Sequence, residues 1–124
     1  MAKYTFVVLT NPTEGKETEY NEWYNKVHIP DVLNVQGMVG AQRFKLADTQ
    51  MGGAAPVHRY LALYEIETDN LQATFDDLKS RSGTADMMMT DAIDLKGVVA
   101  SVFTPVADKV WAKDVRRPRR AKAA

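Results

Sequence analysis

Three short runs of the chain are apolar at odd and even positions alike, and this limits its possible folds more than any other feature. The runs are Phe6-Val7-Val8-Leu9, Tyr60-Leu61-Ala62-Leu63-Tyr64 and Val98-Val99-Ala100-Ser101-Val102-Phe103. Successive side chains of a strand point to opposite faces of its sheet, so a strand with one face in water alternates apolar and polar residues. These runs do not alternate, and we therefore expect a sheet that is covered on both faces.

The order of the predicted elements indicates what covers one of those faces. The sequence predicts strands over 4–10, 38–46, 59–66 and 97–104, a helix over 15–27, and a second helix between the last two strands. This β-α-β-β-α-β order is the ferredoxin-like pattern of the α+β class, with an antiparallel four-stranded sheet and both helices on one face. The other face then needs a partner, so we predict a homodimer, with higher assembly left open, in which two sheets pack face to face.

The composition narrows the class of protein. Its 124 residues suit one domain, which we place at 1–106, followed by a basic tail at 107–124 that lies either in solvent or on a partner subunit through Trp111. Basic and acidic residues both number 16, so zero net charge gives no long-range attraction to nucleic acid or to a membrane. The chain has no Cys and no apolar run near the roughly 20 residues of a membrane span. We expect a cytoplasmic protein.

One histidine closes an aromatic face of the first predicted helix. Tyr20, Trp23 and Tyr24 fall at helical spacing, and His28 lies four residues after Tyr24. Pro30 disfavours helical geometry at the residue before it, so we expect the helix to stop or kink near His28. An imidazole beside aromatic rings suits proton transfer on a flat, apolar substrate. Alternatively, a histidine at a helix C-terminus hydrogen-bonds the last free carbonyls.

The segment from Asn21 to Asp31, together with Gly37 and the pair Arg43-Phe44, resembles the EthD-like family of the dimeric α+β barrel superfamily. A Trp-Tyr pair, a His-x-Pro motif, a short turn with Gly and an Arg-Phe strand carry the resemblance. It spans about 4–106, with specific motifs between 23 and 44 and element order elsewhere. The resemblance implies a dimeric barrel with a pocket between the first helix and the sheet of each protomer, in which a histidine often transfers the proton.

Together these observations predict a cofactor-independent enzyme that acts on a small cyclic or aromatic substrate, of isomerase, lyase, dehydratase or cyclase type. His28 and Tyr24 are the candidate catalytic residues, with His28 moving the proton and Tyr24 holding an oxygen. Two alternatives stay open, namely a ligand-binding or accessory protein without catalysis and a cofactor-free monooxygenase. Two distant histidines and no Cys give no metal-binding spacing, so we predict neither a metal nor a cofactor.

Five further residues are candidates for substrate binding, and each has a plainer alternative. Tyr20 stacks on a ligand or belongs to the core, and Trp23 is assigned to the core. Asp31 orients His28 or caps the following turn. Arg43 clamps a carboxylate or enolate, or it is an exposed charge at a strand end, which Lys45 at the same parity favours. Tyr60 and Tyr64 share one face of the third predicted strand, and they line either the pocket or the interface.

Overall fold

The computed structural model describes residues 1–121 and confirms the α+β, ferredoxin-like fold. Its four strands are β1 (Ala2–Thr10), β2 (Met38–Lys45), β3 (Tyr60–Thr68) and β4 (Val99–Phe103). They form one sheet in the order β2-β3-β1-β4, and every neighbouring pair is antiparallel. The central strands β1 and β3 pair along their full length, from Ala2 opposite Thr68 to Thr10 opposite Tyr60.

The helices cover one face of this sheet. The first helical segment consists of α1 (Glu17–Trp23), a π-helical turn (Tyr24–His28) and α2 (Ile29–Val32). The second is α3 (Leu71–Arg81), which starts at the capping residue Asn70, whose side chain accepts a hydrogen bond from the Ala73 amide. A short 3₁₀ turn, Leu95–Gly97, leads into β4, and α4 (Ala112–Val115) lies in the tail. No helix in the described part of the chain is long and apolar enough to cross a membrane.

The position of Pro30 predicts that the helix stops or kinks near His28, and in the structure the helix does not stop there. Instead the helical path widens into a π turn from Tyr24 to His28 and then continues to Val32. A proline removes one amide donor and crowds the preceding turn, so it is accommodated where the regular hydrogen-bond ladder is already interrupted. The predicted change of geometry near His28 is therefore present, but it takes the form of a π turn inside a longer helical segment.

The two faces of the sheet have different environments. Alternate residues of β3 are buried under the helices, and Tyr60 and Tyr64 are both among them, so the helix side is the face that these tyrosines share. The intervening residues of the strands lie on the opposite face, which we call the open face. Apolar residues of this open face come from all four strands: Val7, Leu9, Phe44, Leu61, Leu63, Val99 and Phe103.

The tail predicted at 107–124 is exposed along all of its described length. Trp111 is 54% exposed, and the Lys109 ammonium lies 4.1 Å from the centre of its ring. The last three residues, 122–124, lie outside the described part of the chain. Whether the tail packs on a partner subunit therefore remains a prediction.

Gly37 lies in the turn before β2, close to Thr74 of α3. Its φ of +90° is in the left-handed region, and its carbonyl accepts a hydrogen bond of 2.9 Å from the Glu67 amide. A Cβ at this position would lie 2.7 Å from the buried Thr74 hydroxyl oxygen and 3.3 Å from Thr68 Cβ. Glycine is therefore required here for two reasons, backbone conformation and space.

We predict that Gly37→Ala lowers the free energy of unfolding by roughly 2–4 kcal/mol, because it adds overpacking to the cost of a left-handed φ. Gly15 is a matched control, since its φ is +80° and nothing lies within 4 Å of a Cβ there. Gly15→Ala should cost only about 1–2 kcal/mol. Urea unfolding of both variants tests this, and equal losses would show that the contact with Thr74 is unimportant.

Candidate functional site

A cavity of about 180 Å³ lies between the helical segments and the helix side of the sheet. Apolar side chains supply most of its wall, from β1, β4, α2, α3 and the segment before the 3₁₀ turn. Five residues on the wall carry polar groups: Thr10, Tyr24, His28, Tyr64 and Ser82. An apolar cavity with a few polar groups is the usual form of a small-molecule site.

The π turn determines where the His28 ring lies. The Trp23 and His28 rings are stacked, with centroids 4.6 Å apart and planes inclined by 22°. In a regular α-helix, residues five positions apart point about 140° away from each other, and such a stack would be impossible. The wider π turn brings these two side chains onto the same side. Tyr24 meets the same imidazole edge-on, with centroids 5.2 Å apart.

The Trp23 ring is itself held in place. Its indole Nε1 donates a 2.9 Å hydrogen bond to the backbone carbonyl of Met88, in the segment that follows α3. The residues on either side of Met88, Met87 and Met89, line the cavity. Trp23 packs against the buried core, as the sequence predicts, and it also connects the wall of the cavity to the imidazole.

His28 is mostly buried, and its Nδ1 has no hydrogen-bond partner within residues 1–121. The interpretation of His28 as a helix cap is therefore wrong, because the helix does not end there and the ring holds no terminal carbonyl through Nδ1. Burial, aided by the positive charge of Arg43, lowers the pKa of His28 to about 4. At neutral pH the ring is an uncharged imidazole on the wall of the cavity.

Two tyrosine hydroxyls lie in the same wall. Tyr24 and Tyr64 are both buried, and burial raises the pKa of each. Their hydroxyls are also close enough to affect each other's pKa. Both groups therefore remain protonated at neutral pH and are available as hydrogen-bond donors. The helix-side position of Tyr64 makes this pairing possible, since it places the strand residue opposite the π turn.

Arg43 lies against the aromatic cluster and not in open solvent. Its guanidinium carbon is 4.2 Å from the centre of the Tyr24 ring, and it donates hydrogen bonds to Asn21 Oδ1 at 2.9 Å and Asn25 Oδ1 at 2.7 Å. The interpretation of Arg43 as an exposed strand-end charge is therefore wrong. Lys45, at the same parity, also faces the helix layer, where its ammonium is 3.8 Å from the Glu17 carboxylate.

The remaining candidates do not line the cavity. Tyr20 is fully buried and hydrogen-bonds the Thr10 hydroxyl, and Arg43 lies over its ring at 5.2 Å. Tyr60 donates a 2.5 Å hydrogen bond to Glu17 Oε2 and accepts one of 3.0 Å from Asn21 Nδ2. Asp31 is half-buried in α2, and no side-chain hydrogen bond joins it to His28 within residues 1–121. The structure thus brings together three of the seven predicted residues around the cavity: Tyr24, His28 and Tyr64.

Sequence reasoning did not identify several residues of the wall. Thr10 ends β1, and its neighbour Pro12 is bridged to Ile93, which brings the segment before β4 over the cavity. No local pattern signals this long-range pairing. Met87 and Met89 also line the cavity, and methionine side chains adapt readily to the shape of what they contact. Within residues 1–121, no three His, Cys, Asp or Glu side chains cluster as they would to hold a metal.

Two solved structures resemble this fold. A mutant of MhuD with two manganese protoporphyrin IX molecules bound per active site is 16% identical, with a TM-score of 0.58 over 87% of this chain and 99% of that one. An EthD-like protein from Ralstonia eutropha JMP134 is 14% identical, with a TM-score of 0.58 over 88% of this chain and 96% of that one. At these identities the likeness concerns the fold, and it confirms the fold that the EthD-like resemblance predicted.

The sequence comparisons are more specific about family than about function. No curated protein matches the chain. One family model matches residues 3–89, which is more than half of the chain, and its description is a domain of unknown function, DUF4286. The matched region begins in β1 and ends at the methionines of the cavity wall. The chain therefore belongs to the DUF4286 family.

Proposed function

We propose that this protein binds a small cyclic or aromatic molecule in the cavity and that His28 moves a proton on it without a cofactor. The observation that carries the proposal is the buried Nδ1 of His28, which has no partner in the described chain although the residue lines the cavity. Leaving a buried polar atom unbonded costs about 1–3 kcal/mol, which a ligand that hydrogen-bonds the ring recovers. The stacked Trp23 holds the imidazole in one orientation for that contact.

The size of the cavity limits the substrate. A cavity of about 180 Å³ is slightly larger than the roughly 150 Å³ that accommodates benzene, and smaller than the roughly 300 Å³ at which drug-sized sites begin. A single ring with one or two small substituents fits this space. A porphyrin, as in the MhuD structure, is much larger than such a ring. We therefore propose a monocyclic ligand and not a tetrapyrrole.

The reaction proceeds by removal and return of one proton. The neutral His28 takes a proton from a carbon beside a carbonyl, and the electron pair moves onto the carbonyl oxygen. Tyr24 and Tyr64 keep their protons and donate hydrogen bonds to that developing oxyanion. The imidazolium then returns its proton to another atom, giving isomerisation, or to a leaving oxygen, giving dehydration. A positioned base of this kind supplies about 10²–10⁴-fold in rate.

A second candidate is a ligand-binding protein that performs no reaction. The lowered pKa of His28 favours it, because an imidazole that protonates only near pH 4 is a weak base until negative charge develops beside it. A third candidate, the cofactor-free monooxygenase, uses the same proton removal and then reacts the carbanion with oxygen. Oxygen consumption separates the third from the first, and the appearance of any product separates the first from the second.

We also propose that the protein is a cytoplasmic homodimer joined through the open faces of two sheets. Val99 and Phe103 of β4 and Phe44 of β2 are 47%, 57% and 40% exposed on this face. Several apolar side chains exposed together on one face usually mark an interface. A second copy presents the same residues, and it therefore matches the chemistry of the face.

We expect His28→Gln to reduce turnover at least 100-fold on the monocyclic enone, lactone or phenol that proves to be the substrate, because glutamine keeps a polar side chain but cannot take the proton. Screening such a panel by thermal shift and following hits by NMR identifies the ligand. The matched control is His58→Gln, at the other histidine, which bonds the Gly97 carbonyl and does not line the cavity. Unchanged turnover in the His28 variant would refute proton transfer, and tight porphyrin binding would refute a monocyclic ligand.

The lowered pKa of His28 also predicts a pH dependence of stability. The unfolded ring binds a proton below about pH 6.5, but the folded ring binds one only near pH 4. His28 therefore does not reduce the free energy of unfolding above pH 6.5, and it reduces that free energy progressively as the pH falls from 6.5 to about 4. The loss is about 3 kcal/mol. Urea unfolding at pH 7.0, 5.5 and 4.5 should show this loss in the wild type and in His58→Gln, and not in His28→Gln. Parallel pH profiles for all three proteins would contradict it.

Phe103→Asp tests the sheet-to-sheet dimer. A charge placed in a buried apolar interface is costly without a partner, so we expect this variant to sediment as a monomer at micromolar concentration while the wild type sediments as a dimer. Met51→Asp is the control, because Met51 is a fully exposed apolar residue in a loop. A wild-type monomer at this concentration, or a dimer that Phe103→Asp leaves intact, would rule out this interface.

A further inference from the structure

The segment after β4 exposes apolar residues that its own chain does not cover. We call residues 106–121 the C-terminal arm. Four of its residues are more than half exposed, at 101%, 70%, 54% and 62% respectively: Val106, Val110, Trp111 and Val115. The backbone hydrogen bonds of the described arm are local, from Asp114 to Trp111 and from Arg116 to Ala112. An arm with a Trp and three Val side chains in water indicates a missing contact surface.

The charges of the chain are divided between the arm and the rest. Residues 1–105 contain nine Lys and Arg against fourteen Asp and Glu, a net charge of −5, whereas the arm contains six against two, a net charge of +4, and Lys122 after it adds one more positive charge. The zero net charge of the whole chain is therefore the sum of an acidic body, which precedes the arm, and a basic C-terminal region. A basic arm is attracted to the acidic body of any copy of the protein, and this attraction adds to apolar burial.

The arm starts beside the open face. Phe103 is paired with Thr5 at the end of β4, and the chain then turns at Pro105. Pro105 and Lys109 border a shallow cleft whose other side is formed by Lys3, Glu65 and Glu67. Glu65 and Glu67 alternate with the buried residues of β3, so they belong to the open face. The arm thus leaves the body where a second sheet would lie.

The open face is of modest extent. Four strands spaced about 4.8 Å apart, with about 5–9 residues each at roughly 3.3 Å per residue, project a flat area of roughly 400–500 Å². A standard stable interface buries about 800 Å² of accessible surface on each partner, and contact from the arm would add to what the open face supplies.

We infer that the C-terminal arm crosses onto the second copy of the chain and that Trp111 is its principal apolar anchor. This inference rests on the proposed sheet-to-sheet dimer, and it adds an exchanged segment to it. The occupant of the arm's apolar side is the partner's body, whose net negative charge complements the arm. Each protomer then contacts the other through its own arm, and the basic run at 116–120 lies against acidic surface of the partner.

The absence of Cys from the sequence makes a direct test possible. Val110→Cys in one chain is mixed with a differently tagged chain that carries one Cys on the open face, at Gln42, Glu65 or Ser101. A disulfide between the two differently sized chains forms for at least one position if the arm crosses. Lys79→Cys, on the exposed side of α3, is the control and should not cross-link. A stable dimer without a cross-link at any of the three positions would overturn the inference.

Sedimentation of the full-length chain measures the contribution of the anchor. We expect Trp111→Ala to raise the dimer Kd by 10- to 100-fold, since a buried Trp is a frequent hot spot. Met51→Ala removes a fully exposed apolar side chain outside the arm and should change the Kd less than twofold. An unchanged Kd in Trp111→Ala overturns the arm exchange while the sheet dimer stands, whereas a wild-type chain that is monomeric overturns both.

Discussion

The stack of Trp23 on His28 is the interaction on which the rest of the site depends. It exists only because the helix widens into a π turn between Tyr24 and His28, which aligns side chains five positions apart. The same widening lets the helix continue past Pro30 into α2, where Val32 lies in the wall of the cavity. A regular α-helix would turn His28 away from Trp23 and would also conflict with the proline.

Arg43 gives this aromatic arrangement its electrostatic character. Its guanidinium lies over Tyr24 and is fixed by two asparagine side chains of the first helical segment, Asn21 and Asn25. This places a permanent positive charge behind the Tyr24 ring, where it disfavours protonation of His28. The same charge would stabilise an anion that forms in the cavity. Burial and this charge together make His28 a weak base in the free protein, and the charge alone would favour an anion if one forms in the cavity.

Most of the fold could be predicted from the sequence because it rests on local patterns. The strand and helix order, the sheet pairing and the aromatic face of α1 all follow from spacing within short segments. The side of the sheet on which Tyr64 lies could not, because β3 is apolar at both parities. Arg43 was misjudged for a related reason. Its partners, Asn21 and Asn25, are 22 and 18 residues away, and no local signal shows that a polar helix edge lies above the strand.

The runs that are apolar at odd and even positions alike are explained by the two faces of the sheet. One face lines the cavity, and the other is the open face. In β1, Phe6 and Val8 line the cavity under the helices, whereas Val7 and Leu9 lie on the open face. A slip of one residue in strand register would exchange these sets, and the apolar pattern alone would not resist it. The polar residues therefore specify the register: Thr10 must reach the Tyr20 hydroxyl, and Glu65 must stay away from the core. The cavity side and the open face of the sheet thus depend on the same few polar positions.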